Sequence, residues 1–306
     1  MYLEHFGLKE PPFSLTPDTH FWFDYASHHE ALNVLTMALR SGEGFLKVTG
    51  EVGLGKTLIC RRVLNSLGDD FVTAYIPNPH LSPASMRVAL ADELGLDVSG
   101  ATTQEQLLRV ISQRLLELAK AGKRVVLCLD EAQELPDQTL EAVRLLTNLE
   151  TEKFKLLQVV LFGQPELEAR LRQPHLRQLC QRITFSHELQ PLSRAAVSDY
   201  VNHRLRVAGY RGAPLFTQQA LDVIYTVSNG TPRLINVLCH KALLAAFGPG
   251  HHQVNATHAR LAVDDTDHTR GRARRAWLRP LLTGSAFVGL TGGVYLLTRW
   301  VIEQIP

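Results

Sequence analysis

This chain has little of several things, and each shortage narrows the reading. Charge of one sign is missing: the formal net charge over 306 residues is +2. No global excess of positive charge therefore marks nucleic acid as the main partner. Cysteine is scarce. Cys60, Cys128, Cys180 and Cys239 are scattered without a CxxC pair, which argues against a disulfide framework and fits reduced, buried thiols in a reducing compartment. The opening "MYLEHFGLKEPPF" has neither a basic n-region nor an apolar h-region, so no secretory signal is expected there. No internal repeat is evident, and a repeat architecture is not expected.

The composition that remains, 45% apolar and 20% charged, is that of an ordinary globular chain long enough for a core domain and a smaller one. Its most informative stretch is "GEVGLGKT", which matches G-x-x-x-x-G-K-[ST]. Glycines in the loop Gly50, Glu51, Val52, Gly53, Leu54 and Gly55 let backbone N–H groups turn inward on phosphates. Lys56 reaches the β- and γ-phosphates, the Thr57 hydroxyl ligates Mg²⁺, and Leu58 continues the helix. The context is right, because "FLKVTG" before the loop reads as a buried strand and "KTLICRRVLNSL" after it has helical periodicity. ATP with Mg²⁺ is the expected ligand.

A second strand points to the same chemistry. In "KRVVLCLDEAQ" an apolar run from Val125 to Leu129 ends in Asp130 and Glu131, and two acids at the tip of a buried strand are costly unless they serve a site. Asp130 would hold the metal, directly or through water, and Glu131 would orient and polarise the attacking water. Further strands are expected at "FVTAYIP", at "FKLLQVVLFG" from Phe154 and at "RITFSHEL" from Arg182. Between them "TTQEQLLRVISQRLLELAKAG" reads as a helix capped by Thr102 or Thr103, with Glu105 near its start and a stop at Gly122, and another helix opens at Pro136. Strands alternating with helices around a phosphate loop predict an α/β fold, a five-stranded parallel sheet covered on both faces. After Pro191 only helices are expected: "SRAAVSDYVNHRLRVAGY", "TQQALDVIYTVSNG" and "TPRLINVLCHKALLAAFG".

A helical lid after such a nucleotide domain resembles the AAA+ ATPases, and the resemblance implies further site residues and a homo-oligomer. "GTPRLINVL" resembles the lid motif called sensor 2, which places Arg233 over the γ-phosphate; the plain alternative is a surface arginine at a turn. Arg182, before "ITFSHEL", corresponds to the arginine that reaches a neighbouring subunit's site, with Arg177 as the other candidate. Gln164 stands where such ATPases usually carry Asn, Thr or Ser. It either orients water or only caps the helix beginning at Pro165.

Three stretches narrow the likeness: "FGLKEPPFSLTPDTHFWF" with "HHEALNVL", then "GEVGLGKT", then "LFGQPELEARLRQ". Together they resemble the ATPases of the ExeA/GspA group of type II secretion and, within it, those serving assembly of the mannose-sensitive haemagglutinin (MSHA) type IV pilus. The resemblance runs to about Val263. It implies an ATPase domain tied to a bacterial inner membrane, with secretion or pilus assembly proteins as partners. ExeA-type members continue into a peptidoglycan-binding domain, which is not expected here. The aromatics Phe13, Phe21, Trp22, Phe23 and Tyr25 cover an adenine or pack an arm onto the core. The thirteen histidines, including His28–His29 and His251–His252, lack HExxH or Cys/His spacing, so no metal beyond Mg²⁺ is expected.

The stretch "LLTGSAFVGLTGGVYLLT" from Leu281 to Thr298 contains no charge and as a helix would be about 27 Å long, close to the ~30 Å hydrocarbon core. Trp277 and Trp300 flank it, and its glycines suit a membrane helix better than a buried lid helix. Arg270, Arg272, Arg274, Arg275 and Arg279 precede it, with Arg299 after it. That asymmetry follows the positive-inside rule and leaves the ATPase cytoplasmic, while anionic lipid attracts the basic run.

The expected organisation is an N-terminal arm and helix (1–40), an ATPase core (41–190), a helical lid (191–265), a basic linker (266–280), a transmembrane helix (281–300) and a short tail (301–306). The expected function is ATP hydrolysis that drives or regulates assembly of a pilus or secretion apparatus. A DNA-associated regulator of the transposition type and a nucleotide-gated scaffold with negligible turnover are the alternatives.

Overall fold

The computed structural model describes residues 1–77, 80–98, 103–150 and 155–266. The chain opens with a single turn, α1 (Tyr2–His5), and the longer α2 (Ala26–Ser41). It then alternates: β1 (Phe45–Thr49), α3 (Lys56–Ser66), β2 (Phe71–Ile76), α4 (Pro83–Glu93), α5 (Gln104–Lys120), β3 (Arg124–Leu129), α6 (Asp137–Leu146), β4 (Leu157–Gly163), α7 (Pro165–Leu171), α8 (Arg177–Cys180) and β5 (Phe185–Glu188). Four helices follow, α9 (Arg194–Val207), α10 (Gln218–Ser228), α11 (Pro232–Phe247) and α12 (Ala256–Asp264). They fall into two units, one made of Leu15–Leu192 and the other of Met1–Ser14 with the chain from Ser193 onward.

In the first unit the five strands form one sheet in the order β2-β3-β4-β1-β5, every pairing parallel. The expected five-stranded parallel sheet is therefore present. Its inner strands are apolar on both faces because helices cover both. Along β3, Val125, Leu127 and Leu129 face one core with α4 to α8, while Val126 and Cys128 face the other with α2 and α3. β4 divides in the same way, with Leu157, Val159 and Leu161 on one side and Val160 and Phe162 on the other. The buried face of α5 follows from Leu107, Ile111, Leu115 and Leu118 at helical spacing. Each such leucine contributes roughly 2 kcal/mol by leaving water. Thr103 caps this helix in a capping box, with Gln106 as the reciprocal partner.

The strands expected from Phe154 and Arg182 begin later, at Leu157 and Phe185. Lys155 instead bridges antiparallel to Glu150, and Arg182 and Ile183 close turns onto Leu179 and Cys180. The polar exceptions inside the sheet find partners for their donors, while the Gln158 Oε1 is buried without one among the described residues. Gln158 donates to the Leu39 and Glu43 carbonyls at 3.0 and 2.7 Å, and Lys47 pairs with Glu168.

In the second unit the expected lid helices are joined by α12, which the sequence reading passed over. Its cap, Asn255, accepts from the Thr257 and His258 N–H groups, and His258 completes the box. The arm taken as one piece over 1–40 divides at Ser14/Leu15. Met1–Ser14 is held with the lid helices by buried groups: Arg204 donates to the Pro12 carbonyl, the Lys9 N–H donates to Ala208, and Phe13 meets Phe216 edge-on at 6.0 Å. Phe21 is buried in the other unit, so the front aromatics are divided between the two units. The apolar stretch 281–300 and its arginine flank lie outside the described residues. Among the described residues no helix is long and apolar enough to cross a membrane.

Candidate active site

Parallel strands deliver their C-terminal ends to one edge, and the loops leaving that edge collect the chemistry. β1 ends at Thr49, opposite Gly163 of β4, and the loop Gly50–Gly55 runs from it into α3. Gly53 and Gly55 take φ of 85° and 94°, a conformation L side chains rarely adopt. A Cβ on Gly50 would lie 3.0 Å from the Leu189 Cβ, and one on Gly55 would lie 3.0 Å from the His28 ring. A side chain at either end would have to push Leu189 or the His28 ring aside, and at Gly55 the left-handed backbone disfavours one as well. Leu54 is buried, anchoring the loop, while Glu51 and Val52 are exposed at its crest.

Lys56, Thr57 and Leu58 form the first turn of α3, with Gly55 as N-cap, so free N–H groups and the positive helix end face the loop. Lys56 is buried, and its Nζ donates to the Gly50 and Glu51 carbonyls at 2.7 and 3.1 Å. Burial lowers its pKa, and the Glu131 and Asp130 carboxylates oppose that shift. The Thr57 Oγ1 donates to Asp130 Oδ2 at 2.6 Å, and the Tyr75 hydroxyl reaches the same oxygen at 3.4 Å. Burial pushes the Asp130 carboxyl up, against the Thr57 hydrogen bond, and holds the Tyr75 phenol at about 12. A hydroxyl and a buried carboxylate in contact are the hard oxygen pair that suits Mg²⁺. The residues fit that ion.

Glu131 follows with φ 50° and ψ 40°, left-handed backbone on a residue with a Cβ. Such strain persists only where surroundings impose it. Its Oε2 accepts from Gln133 Nε2 at 2.7 Å and Gln164 Nε2 at 3.3 Å. Gln164 is the N-cap residue of α7 and makes no side-chain cap hydrogen bond; its amide lies beside Glu131. Tyr75 and Gln133 escaped the sequence reading. Tyr75 sits within an expected strand, and the contacts of Tyr75 and Gln133 with Asp130 and Gln164 depend on tertiary neighbours that no local pattern marks.

Arg182 and Arg177 are also placed. Arg177 starts the short α8 and is exposed. Arg182 lies beyond it, half-buried, and donates to Thr147 Oγ1 at 3.2 Å. Arg233 is exposed in the first turn of α11, in the other unit. The cysteines are less scattered in space than in sequence. The Cys60 and Cys128 thiols are buried on α3 and β3 in one core, and contact with Cys128 raises the Cys60 pKa.

His28 is the other residue behind the loop. Its Nε2–H donates to the Leu54 carbonyl at 2.8 Å, between the rings of Trp22 and Tyr25. Neighbouring His29 pairs with Asp24. Tyr25 in turn donates to the Gln190 carbonyl at 2.8 Å. The front aromatics of this unit thus pack the arm against the phosphate loop. Burial drops the His28 pKa to about 4, opposed by the Leu54 bond. The unfolded chain then binds a proton that the folded one refuses. Stability from this group is complete above about pH 6.5 and declines as pH falls toward 4, by up to ~1.4 kcal/mol per pH unit. His28→Gln, which keeps a donor for Leu54, is expected to remove that part of the acid slope in chemical denaturation at pH 4 to 7. An unchanged slope would mean His28 titrates normally in the folded chain.

Residues 39–171 match the family described as AAA domain. General secretion pathway protein A of Aeromonas hydrophila is 43% identical over 300 residues, which cover 98% of this chain and 53% of that protein. The chain therefore spans about half the length of that relative. Among solved structures, the ORC2 protein of Aeropyrum pernix superposes with a TM-score of 0.60 at 17% identity, over 81% of this chain and 71% of that one. Cdc6p of Pyrobaculum aerophilum gives 0.63 at 18% identity, over 81% and 70%. At such identities these two likenesses are of fold alone.

Proposed function

We propose that this chain, whose residues 39–171 match an AAA domain and which is 43% identical to a general secretion pathway protein A, hydrolyses ATP to drive or regulate assembly of a membrane-bound secretion or pilus apparatus. The observation that carries the hydrolytic part is convergence at the C-terminal ends of the strands: Thr57 meets Asp130 at 2.6 Å, Gln164 meets Glu131 at 3.3 Å, and both carboxylates act electrostatically on the Lys56 ammonium. Backbone N–H groups of Gly50–Gly55 and the first turn of α3 bind the phosphates, and Lys56 turns from its loop carbonyls to the β- and γ-oxygens. Thr57 and Asp130 would hold Mg²⁺, which when bound offsets phosphate charge. Glu131 orients and polarises the attacking water, with the Gln164 amide beside it. Arg233 from the lid and Arg182 from a neighbouring subunit add positive charge where the transition state gathers negative charge.

The anchoring part is supported by the uncharged run 281–298 with its arginine flank, and by a relative named for general secretion. We place the ATPase on the cytoplasmic side of a bacterial inner membrane, with an MSHA-type pilus or type II secretion-like machine as the assembly served. The test is fractionation followed by capture. The full chain is expected to sediment with membranes and resist high-salt extraction, whereas a truncation ending at Arg270 is released. Photo-cross-linking in those membranes is expected to yield an inner-membrane assembly protein. Release of the full chain by salt would remove the anchor, and salt-sensitive retention of the truncation on DNA would move the function to a DNA-associated regulator.

A further inference from the structure

The carboxylate that activates water must present one oxygen to it, and Glu131 has little freedom of its own to choose which. Its backbone is strained left-handed, and its main chain is fixed by Asp130 Oδ1 accepting the Glu131 N–H at 3.0 Å and by the Glu134 N–H closing on the Glu131 carbonyl. The side chain is set by Gln133. The Gln133 Nε2 donates to Glu131 Oε2 at 2.7 Å, while its Oε1 accepts the Gln164 N–H at 2.9 Å. These partners fix the amide's orientation, since a carboxylate only accepts and an N–H only donates. Gln133 therefore clamps the acid after β3 to the backbone after β4. Its donor and that of Gln164 both fall on Oε2, which leaves Oε1 to meet water.

The clamp is itself braced. Arg170 of α7 donates to the Gln133 carbonyl and, at 2.7 Å, to the Leu135 carbonyl. It also pairs with Asp137, whose other oxygen meets His175 at 2.8 Å. Both partners hold the Asp137 carboxyl below its usual range, so the brace stays charged near neutral pH.

We propose that Gln133 is a positioning residue for hydrolysis: its amide selects the Glu131 oxygen that polarises water and ties that carboxylate to Gln164. The inference rests on the hydrolytic reading above. It is tested on the full chain with Gln133→Glu and Gln133→Ala, each compared with the parent for binding of a fluorescent ATP analogue, kcat, KM and the pH dependence of kcat. Gln133→Glu keeps the acceptor for Gln164 and loses the donor to Glu131, so a purely structural tie survives in it. Its expected kcat at pH 7.5 is at least about tenfold lower, with Kd and KM within about twofold of the parent. Part of the loss should return as the pH is lowered and the introduced carboxyl takes up a proton, becoming a donor again. Gln133→Ala should lose at least as much, without recovery at low pH.

An active parent with parental kcat and pH profile in Gln133→Glu would overturn the inference alone. A rise in KM at constant kcat would do the same by making Gln133 a ligand contact. If Gln133→Glu does not fold, a parental kcat in Gln133→Ala overturns the inference. A parent without turnover would sink the hydrolytic reading and this inference with it.

Discussion

Glu131→Gln is expected to bind ATP with parental affinity and to hydrolyse it at least ~100-fold more slowly, the range in which a positioned general base acts. The substitution is nearly isosteric and leaves the phosphate loop, Lys56 and the Thr57–Asp130 contact untouched. What disappears is the negative oxygen facing water. The change also alters one hydrogen bond, because the Gln133 amide then meets an amide where it met a carboxylate at 2.7 Å. An amide oxygen still accepts that bond, so the local geometry can be retained while the basicity is lost. Equilibrium binding of a fluorescent ATP analogue and steady-state phosphate release separate the two effects. Turnover at the parental rate would remove Glu131 from the catalytic role and with it the argument that two acids at the tip of a buried strand serve one site.

Much of the fold was legible because the sheet is parallel and inner strands announce themselves as continuous apolar runs. β3 and β4 carry such runs, and both their faces are buried. β5 shows the limit. Its Phe185–Glu188 is mostly exposed, so periodicity gave little to set its start, and the turn at Arg182 was absorbed into the strand. The phosphate loop was legible residue by residue, since each position has a chemical reason to be glycine, lysine or threonine. Gln133, Tyr75 and His28 were not, because their roles depend on tertiary neighbours far along the chain: Gln164, Asp130 and Leu54. The division of the arm at Ser14 was equally hidden. It rests on the buried Arg204, a charged residue inside a helix that only its partners at Pro12 and Tyr200 explain.

Arg182→Ala is expected to bind ATP nearly normally and lose about a thousandfold in turnover, the lower end of what a trans-acting arginine supplies. In this subunit the Arg182 guanidinium donates to the Thr147 Oγ1 at 3.2 Å, after the end of α6, and acts electrostatically on the Glu141 and Glu150 carboxylates. A contact of that kind is worth little and can be exchanged for a phosphate on a neighbour. Arg177 is exposed nearby along the chain, at the head of α8, and is the control. Mixing distinguishes action in trans from a fold defect. Lys56→Ala subunits lack a working pocket but carry Arg182, and Arg182→Ala subunits have the pocket but not the finger. Assemblies containing both should recover part of the parental rate, because some interfaces combine an intact pocket with an intact finger. Neither variant alone should do so at any concentration. Absence of recovery in assemblies shown by cross-linking to be mixed would confine Arg182 to its own subunit. Recovery when Arg177→Ala replaces Arg182→Ala, with Arg182→Ala itself near the parental rate, would assign the finger to Arg177 and leave Arg182 holding the turn into β5.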